Sequence, residues 1–158
     1  MTGAGLRAHL SYLLSEAERQ VNRRLAAGLS TEGVSVEQWR ILRALSDGHG
    51  HSMTDLAGAV LMPHPTLTKA VDRLVDDALV YRRQDATDRR RVVVHLSDLG
   101  RDLVARLDRR AVEHHADVAA AFGAERTERL MRELEALAAA CRQHDWPEPA
   151  AEPSERGT

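Results

Sequence analysis

The sequence predicts a mainly α-helical chain that carries one small β-hairpin. Apolar residues recur at steps of three and four through several separate stretches, which places them on single helical faces. Serines stand just ahead of three of those stretches, at Ser35, Ser52 and Ser97, where a helix start needs a side-chain acceptor. Between residues 79 and 96 the period changes, and β-branched residues gather around a charged loop.

The first stretch runs from about Leu6 to Ala27, with Leu6, Leu10, Leu13, Leu14, Ala17, Val21 and Leu25 on one face. Gly28 to Gly33 breaks it. Ser35 opens a second helix, and Gln38 three residues later completes a capping box. Val36, Trp39, Ile41, Leu42 and Leu45 form its buried side, and Asp47 to Gly50 make a turn. Ser52 with Asp55 reads as another capping box, heading a short helix through Leu61 with Leu56, Ala57 and Val60 inward. After Pro63 a fourth helix runs from about Pro65 to Ala78 and buries Leu67, Ala70, Val71, Leu74 and Val75. Proline suits the first turn, where its missing N–H had no partner. Two helices of these lengths across so brief a break make a helix-turn-helix.

Leu79 to Gln84 and Arg91 to Leu96 read as strands flanking Asp85-Ala86-Thr87-Asp88-Arg89-Arg90, a hairpin or wing. Ser97 then caps a long helix carrying Leu99, Leu103, Leu107 and Val112 to about Ala121. Gly123 separates it from a last helix with Leu130, Leu134, Leu137 and Cys141. The segment 147–158, rich in Pro and Glu, is expected to be disordered. The pattern assigns 6–29 and 97–143 to a helical dimerisation region and 35–96 to a winged helix-turn-helix lobe.

Bulk composition narrows the function. At 158 residues the chain can bury a core, and aromatics at 3% leave a helix-favouring mix. The net charge is -2, from 22 basic and 24 acidic residues, so any nucleic-acid signal must be local. A single cysteine rules out an internal disulfide and fits a reducing compartment. No apolar run approaches a membrane span and no signal sequence is legible, so a cytoplasmic location is expected.

The local signal is present. The fourth helix exposes Pro65, Thr66, Thr68, Lys69 and Arg73, small hydroxyls and basic groups suited to bases and phosphates. Alone, that face reads equally as a solvated one. The wing tips the balance toward double-stranded DNA, because Arg82, Arg83, Arg89, Arg90 and Arg91 crowd together in a slightly acidic chain. Asp88 would repel phosphate there, and a physical role for it is to hold a neighbouring arginine by a bidentate pair.

Thr66-Leu67-Thr68-Lys69-Ala70-Val71-Asp72-Arg73-Leu74, Asp85 to Arg90, Leu96-Ser97-Asp98-Leu99-Gly100 and Gly33 to Trp39 together resemble the multiple antibiotic resistance regulator (MarR) family, over about Leu6 to Arg142. The resemblance implies an obligate homodimer through the terminal helices, whose wings grip one near-palindromic operator. It implies Arg90 in the minor groove with Asp88 orienting it, Arg89 near the backbone, and Thr66, Thr68, Lys69 and Arg73 toward the major groove. Pro63-His64-Pro65 and Ala78 depart from the usual start and glycine end of that helix. The family often binds small aromatic or phenolic acids, which relieve repression. On that analogy His9, Tyr12, Ser15, Glu16, Arg19, Trp39, Arg40 and Arg43 would line an effector site, although Tyr12 and Trp39 also read as core and Arg19 as solvated.

Other readings compete. Eight histidines, with His49-Gly50-His51 and His114-His115, raise a metal-responsive regulator, but no Cys pair or H-E-x-x-H spacing completes a site. Cys141 raises a redox sensor, yet it continues the stripe of Leu130, Leu134 and Leu137 and reads better as a small buried hydrophobe. No phosphate loop, nucleophile elbow or zincin motif is present, so no enzyme and no cofactor are expected.

Overall fold

A computed structural model describes residues 5–145. After a 3-10 turn at Leu6–Ala8 the helices are α1 (Leu10–Ser30), α2 (Val36–Ala44), α3 (Met53–Val60), α4 (His64–Asp76), α5 (Asp98–Phe122) and α6 (Ala124–Gln143). The strands are β1 (His51–Ser52), β2 (Val80–Gln84) and β3 (Val92–Leu96). The sheet is antiparallel in the order β1-β3-β2, with His51 opposite Val94 and Val80 opposite Leu96. The expected 147–158 tail lies outside the described residues.

The chain divides into two compact units at Asp117 and Val118. The core of the first joins Leu25 and Leu29 of α1, Ile41 and Leu42 of α2, Leu56 of α3, Leu67, Val71 and Leu74 of α4, the sheet, and Leu103, Val104 and Leu107 of α5. Their burial drives this unit together, since each large side chain removed from water contributes about 1.5–3 kcal/mol. The N-terminal part of α1 stays outside that core, with Leu10 58% and Leu13 44% exposed. Leu99 and Val112, read as part of the apolar stripe of α5, are also exposed. The second unit holds the end of α5 and α6, where Leu130 and Leu134 are exposed and Arg126 covers the Phe122 ring at 4.2 Å. Cys141 is exposed as well, which corrects its reading as a buried hydrophobe: within one chain the stripe it shares with Leu130 and Leu134 is left uncovered.

The capping logic explains the helix starts. Ser35 accepts from Gln38 N–H, and the Gln38 side chain accepts from Ser35 N–H, a full capping box. At Ser52 only half of the box forms. Asp55 N–H donates to Ser52 Oγ, and the shorter Asp55 carboxylate accepts from the Ser52 hydroxyl at 2.6 Å. Strand β1 was not expected, because two residues carry no readable period.

The end of α4 is a Schellman motif. Ala78 N–H donates to Val75 O and Leu79 N–H to Leu74 O, both at 2.9 Å, with Ala78 at φ 57°. The chain then locks onto α5. Ser97 N–H donates to Leu79 O, its hydroxyl donates among the Ala78 and Leu79 carbonyls, and Gly100 N–H donates to Ser97 Oγ. A Cβ on Gly100 would lie 2.2 Å from Leu79 O, so only glycine permits this approach. The junction sets where the hairpin leaves the helix-turn-helix.

Candidate nucleic-acid interface

Leu67, Val71 and Leu74 turn one side of α4 into the core at i, i+4 and i+7, which forces the other side outward. Pro65, Thr66, Thr68, Lys69 and Arg73 are all exposed there. Pro63 is the N-cap and offers no side-chain cap, so the start depends on Pro65 in the first turn. The Thr68 hydroxyl donates to His64 O at 2.9 Å. Pro65, Thr66, Lys69 and Arg73 line a cleft of about 430 Å³ with Ser35, Glu37 and Gln38 from the start of α2. That the α2 start shares this cleft was missed. Its residues were read only as caps, and nothing in their spacing relates them to α4. Glu37 adds the one negative charge of the lining.

The hairpin tip is built by aspartates. Asp85 Oδ1 accepts from Thr87 N–H and Thr87 Oγ1, both at 2.7 Å, and from Asp88 N–H. Those bonds, the Thr87 hydroxyl first, hold the Asp85 carboxyl below the ordinary carboxylate range. Asp88 Oδ1 accepts from Arg90 N–H at 3.0 Å, and Asp88 O from Arg91 N–H at 2.9 Å. The expected bidentate pair between Asp88 and a guanidinium is therefore corrected. Asp88 bends the backbone beneath Arg90 and leaves the guanidinium outside that turn. Arg83, Arg89 and Arg90 are exposed, and none makes a side-chain ion pair among the described residues.

Two ion pairs tie the wing to the helix-turn-helix. Arg82 Nη2 meets Asp72 Oδ1 of α4 at 2.5 Å, so this arginine, counted among the DNA contacts, is engaged within the chain. Arg91 Nη2 meets Asp55 Oδ2 of α3 at 3.2 Å, extending the Ser52–Asp55 cap to the base of the tip. The Ser52 hydroxyl bond and the Arg91 charge both hold Asp55 ionised. No spacing rule joins positions 36 residues apart, so this second clamp was illegible in the sequence.

The candidate effector residues do not gather in one place. Tyr12, Ser15, Glu16 and Arg19 line a shallow cleft of about 160 Å³ along α1, and His9 is exposed ahead of that helix. Glu16 is bound by Arg7 at 3.2 Å. Trp39 packs against the core, its Nε1 buried without a partner. Arg40 approaches Glu18 at 4.0 Å, and Arg43 lies 3.4 Å from Asp108. His51 Nε2 lies 2.8 Å from Asp47 Oδ2. Among the described residues no three His, Cys, Asp or Glu side chains converge on a metal position. No helix among them is long and apolar enough to cross a membrane.

Residues 32–91 match the family model described as the MarR family. The chain is 32% identical over 113 residues to the homoprotocatechuate degradative operon repressor of Escherichia coli, across 70% of this chain and 76% of that protein. It is 29% identical over 98 residues to the HTH-type transcriptional regulator FarR of Neisseria gonorrhoeae, across 62% and 67%. In fold it is similar to the transcriptional repressor CouR bound to a 23-mer DNA duplex, with a TM-score of 0.78, 23% identity, and 87% and 98% of the two chains covered. It is also similar to NadR in complex with 4-hydroxyphenylacetate, with a TM-score of 0.74, 24% identity, and 84% and 96% covered.

Proposed function

The chain belongs to the MarR family, and from that premise we propose that it is a DNA-binding transcriptional repressor released by a small aromatic or phenolic acid. The observation that carries the reading is the pairing of an exposed α4 face with a free-standing arginine tip held by ion pairs to α3 and α4. Thr66, Thr68 and Lys69 read base edges and phosphates in the major groove, with Arg73 beside them and Pro65 setting the helix start. Arg90 enters the adjacent minor groove, and Arg89 meets the backbone. Asp88 and Arg82 position these groups rather than touch DNA.

The working form is a homodimer. Residues 6–29 and 97–143 pair two chains, while 35–96 forms the DNA-binding lobe. The exposed leucines of α1 and α6 supply the apolar surface for that pairing. Twofold symmetry then demands a near-palindromic operator. The effector half of the reading draws on a fold neighbour solved with 4-hydroxyphenylacetate and on the buried, partnerless Trp39 N–H, a donor awaiting an acceptor. His9, Tyr12, Glu16, Arg19 and Arg43 are the further contacts assigned to it.

A gel shift on DNA flanking the chain's own gene tests the proposal. Wild type should retard one fragment, Arg90→Ala should not, and 4-hydroxyphenylacetate or a related acid should release the complex. Equal retardation by Arg90→Ala would remove the wing from the mechanism.

A further inference from the structure

Three exposed apolar residues surround the start of α4, and none of them belongs to the hydrophobic core. Leu61 is 87% exposed, whereas its neighbour Met62 turns inward and is buried. Pro63 and Pro65 are exposed on either side of His64, the first residue of the helix. Leu61 is also strained. It ends α3 at φ 55° and ψ 47°, the left-handed region that glycine enters without steric cost. Its own N–H and that of Met62 both donate to Ala57 O, so the turn uses this backbone and nothing of the leucine side chain. A glycine would close the same turn with less strain and less apolar surface in water. Folding alone gives no reason for a leucine here.

The start of α4 departs from the ordinary in the same direction. A helix start attracts anions through its free N–H groups. Here Pro63 and Pro65 have no N–H, and no side chain caps the turn. The Thr68 hydroxyl already donates to His64 O at 2.9 Å. This end is therefore poorer in donors and richer in apolar surface than one built to hold phosphate. In a helix-turn-helix, the N-terminal residues of the second helix are the ones that meet base edges. The major groove presents donors, acceptors and a single kind of apolar group, the C5-methyl of thymine.

We propose that Leu61, Pro63 and Pro65 form an apolar tip that selects thymine in each half-site through its methyl group. This rests on the DNA-binding reading above and adds a specificity element to it. Thr66, Lys69 and Arg73 supply the polar contacts further along the helix. The tip reads a base feature that needs no hydrogen-bond donor.

Operator duplexes in which single thymines are replaced by uracil test it, because this change removes the methyl and nothing else. By fluorescence anisotropy, wild type should lose about fourfold in affinity at one thymine per half-site. Leu61→Gly and Pro63→Ser should bind the thymine and uracil duplexes alike at that position. Both should also keep or raise the urea midpoint, since one relieves the left-handed turn and the other supplies a helix cap. That separates a lost base contact from a lost fold. Methyl sensitivity that is absent from wild type, or unchanged in both variants, would overturn the proposal while leaving DNA binding intact. Wild type that retards no fragment overturns both readings. A Leu61→Gly chain that halves in mass by light scattering would assign the leucine to contact between chains and overturn the tip.

Discussion

At Ala78 the backbone turns through φ 57° to close the Schellman motif, a conformation in which an L side chain crowds the following carbonyl. Ala78→Gly should therefore stabilise the chain by about 1 kcal/mol, measured as a higher urea midpoint at unchanged slope. His114 carries a second residue-scale consequence. Burial keeps its pKa below 6.5 in the folded chain, so on acidification the unfolded chain takes up that proton first. The stability it supplies is complete above pH 6.5 and is lost as pH falls toward the lowered value. Between pH 7.5 and 5.5 wild type should lose more stability than His114→Phe, read from urea midpoints at both pH values. Individual side chains were legible where chemistry alone fixes a role, as at the Ser35 cap. Partner choice was not: Asp88 was paired in advance with a guanidinium, whereas its carboxylate reaches only a backbone N–H two residues on.

Among elements, the helices were readable because a buried stripe repeats over many residues, and each of the longer ones lies within a few positions of its expected span. Only α1 starts late, at Leu10, because Leu6–Ala8 forms a separate 3-10 turn that shares the same apolar spacing. Strand β1 and the cleft shared by α2 and α4 were illegible, since both arise from tertiary approach rather than from period. The same holds for the Arg91–Asp55–Ser52 chain that joins the wing to α3. Such a solvent-exposed pair contributes little to folding, because water screens both charges. Its weight falls on orientation instead. Arg91→Gln should leave the urea midpoint almost unchanged and lower operator affinity several-fold, compared by fluorescence anisotropy on one duplex.

For the whole molecule, one chain presents one α4 face and one wing, too little contact for the affinity expected of a specific repressor. In the proposed homodimer, pairing through the exposed faces of α1 and α6 would double the contact and set two α4 helices on one duplex. Light scattering at micromolar concentration should give twice the chain mass. The double change Leu10→Glu, Leu13→Glu should halve it and abolish stable operator binding. A monomeric wild type would contradict this. Binding should also weaken steeply with salt, as phosphate contacts release counterions.

The claim that α4 and the wing occupy different grooves of a single duplex is tested most directly by dimethyl sulfate protection of the operator. This reagent reports guanine N7 in the major groove and adenine N3 in the minor groove. Wild type should protect guanines within each half-site and adenines beside it. Arg90→Ala, at a concentration high enough to fill the site, should keep the guanine protection and lose the adenine protection. Adenine protection that persists without the Arg90 guanidinium, or that is absent from wild type, would contradict the two-groove arrangement.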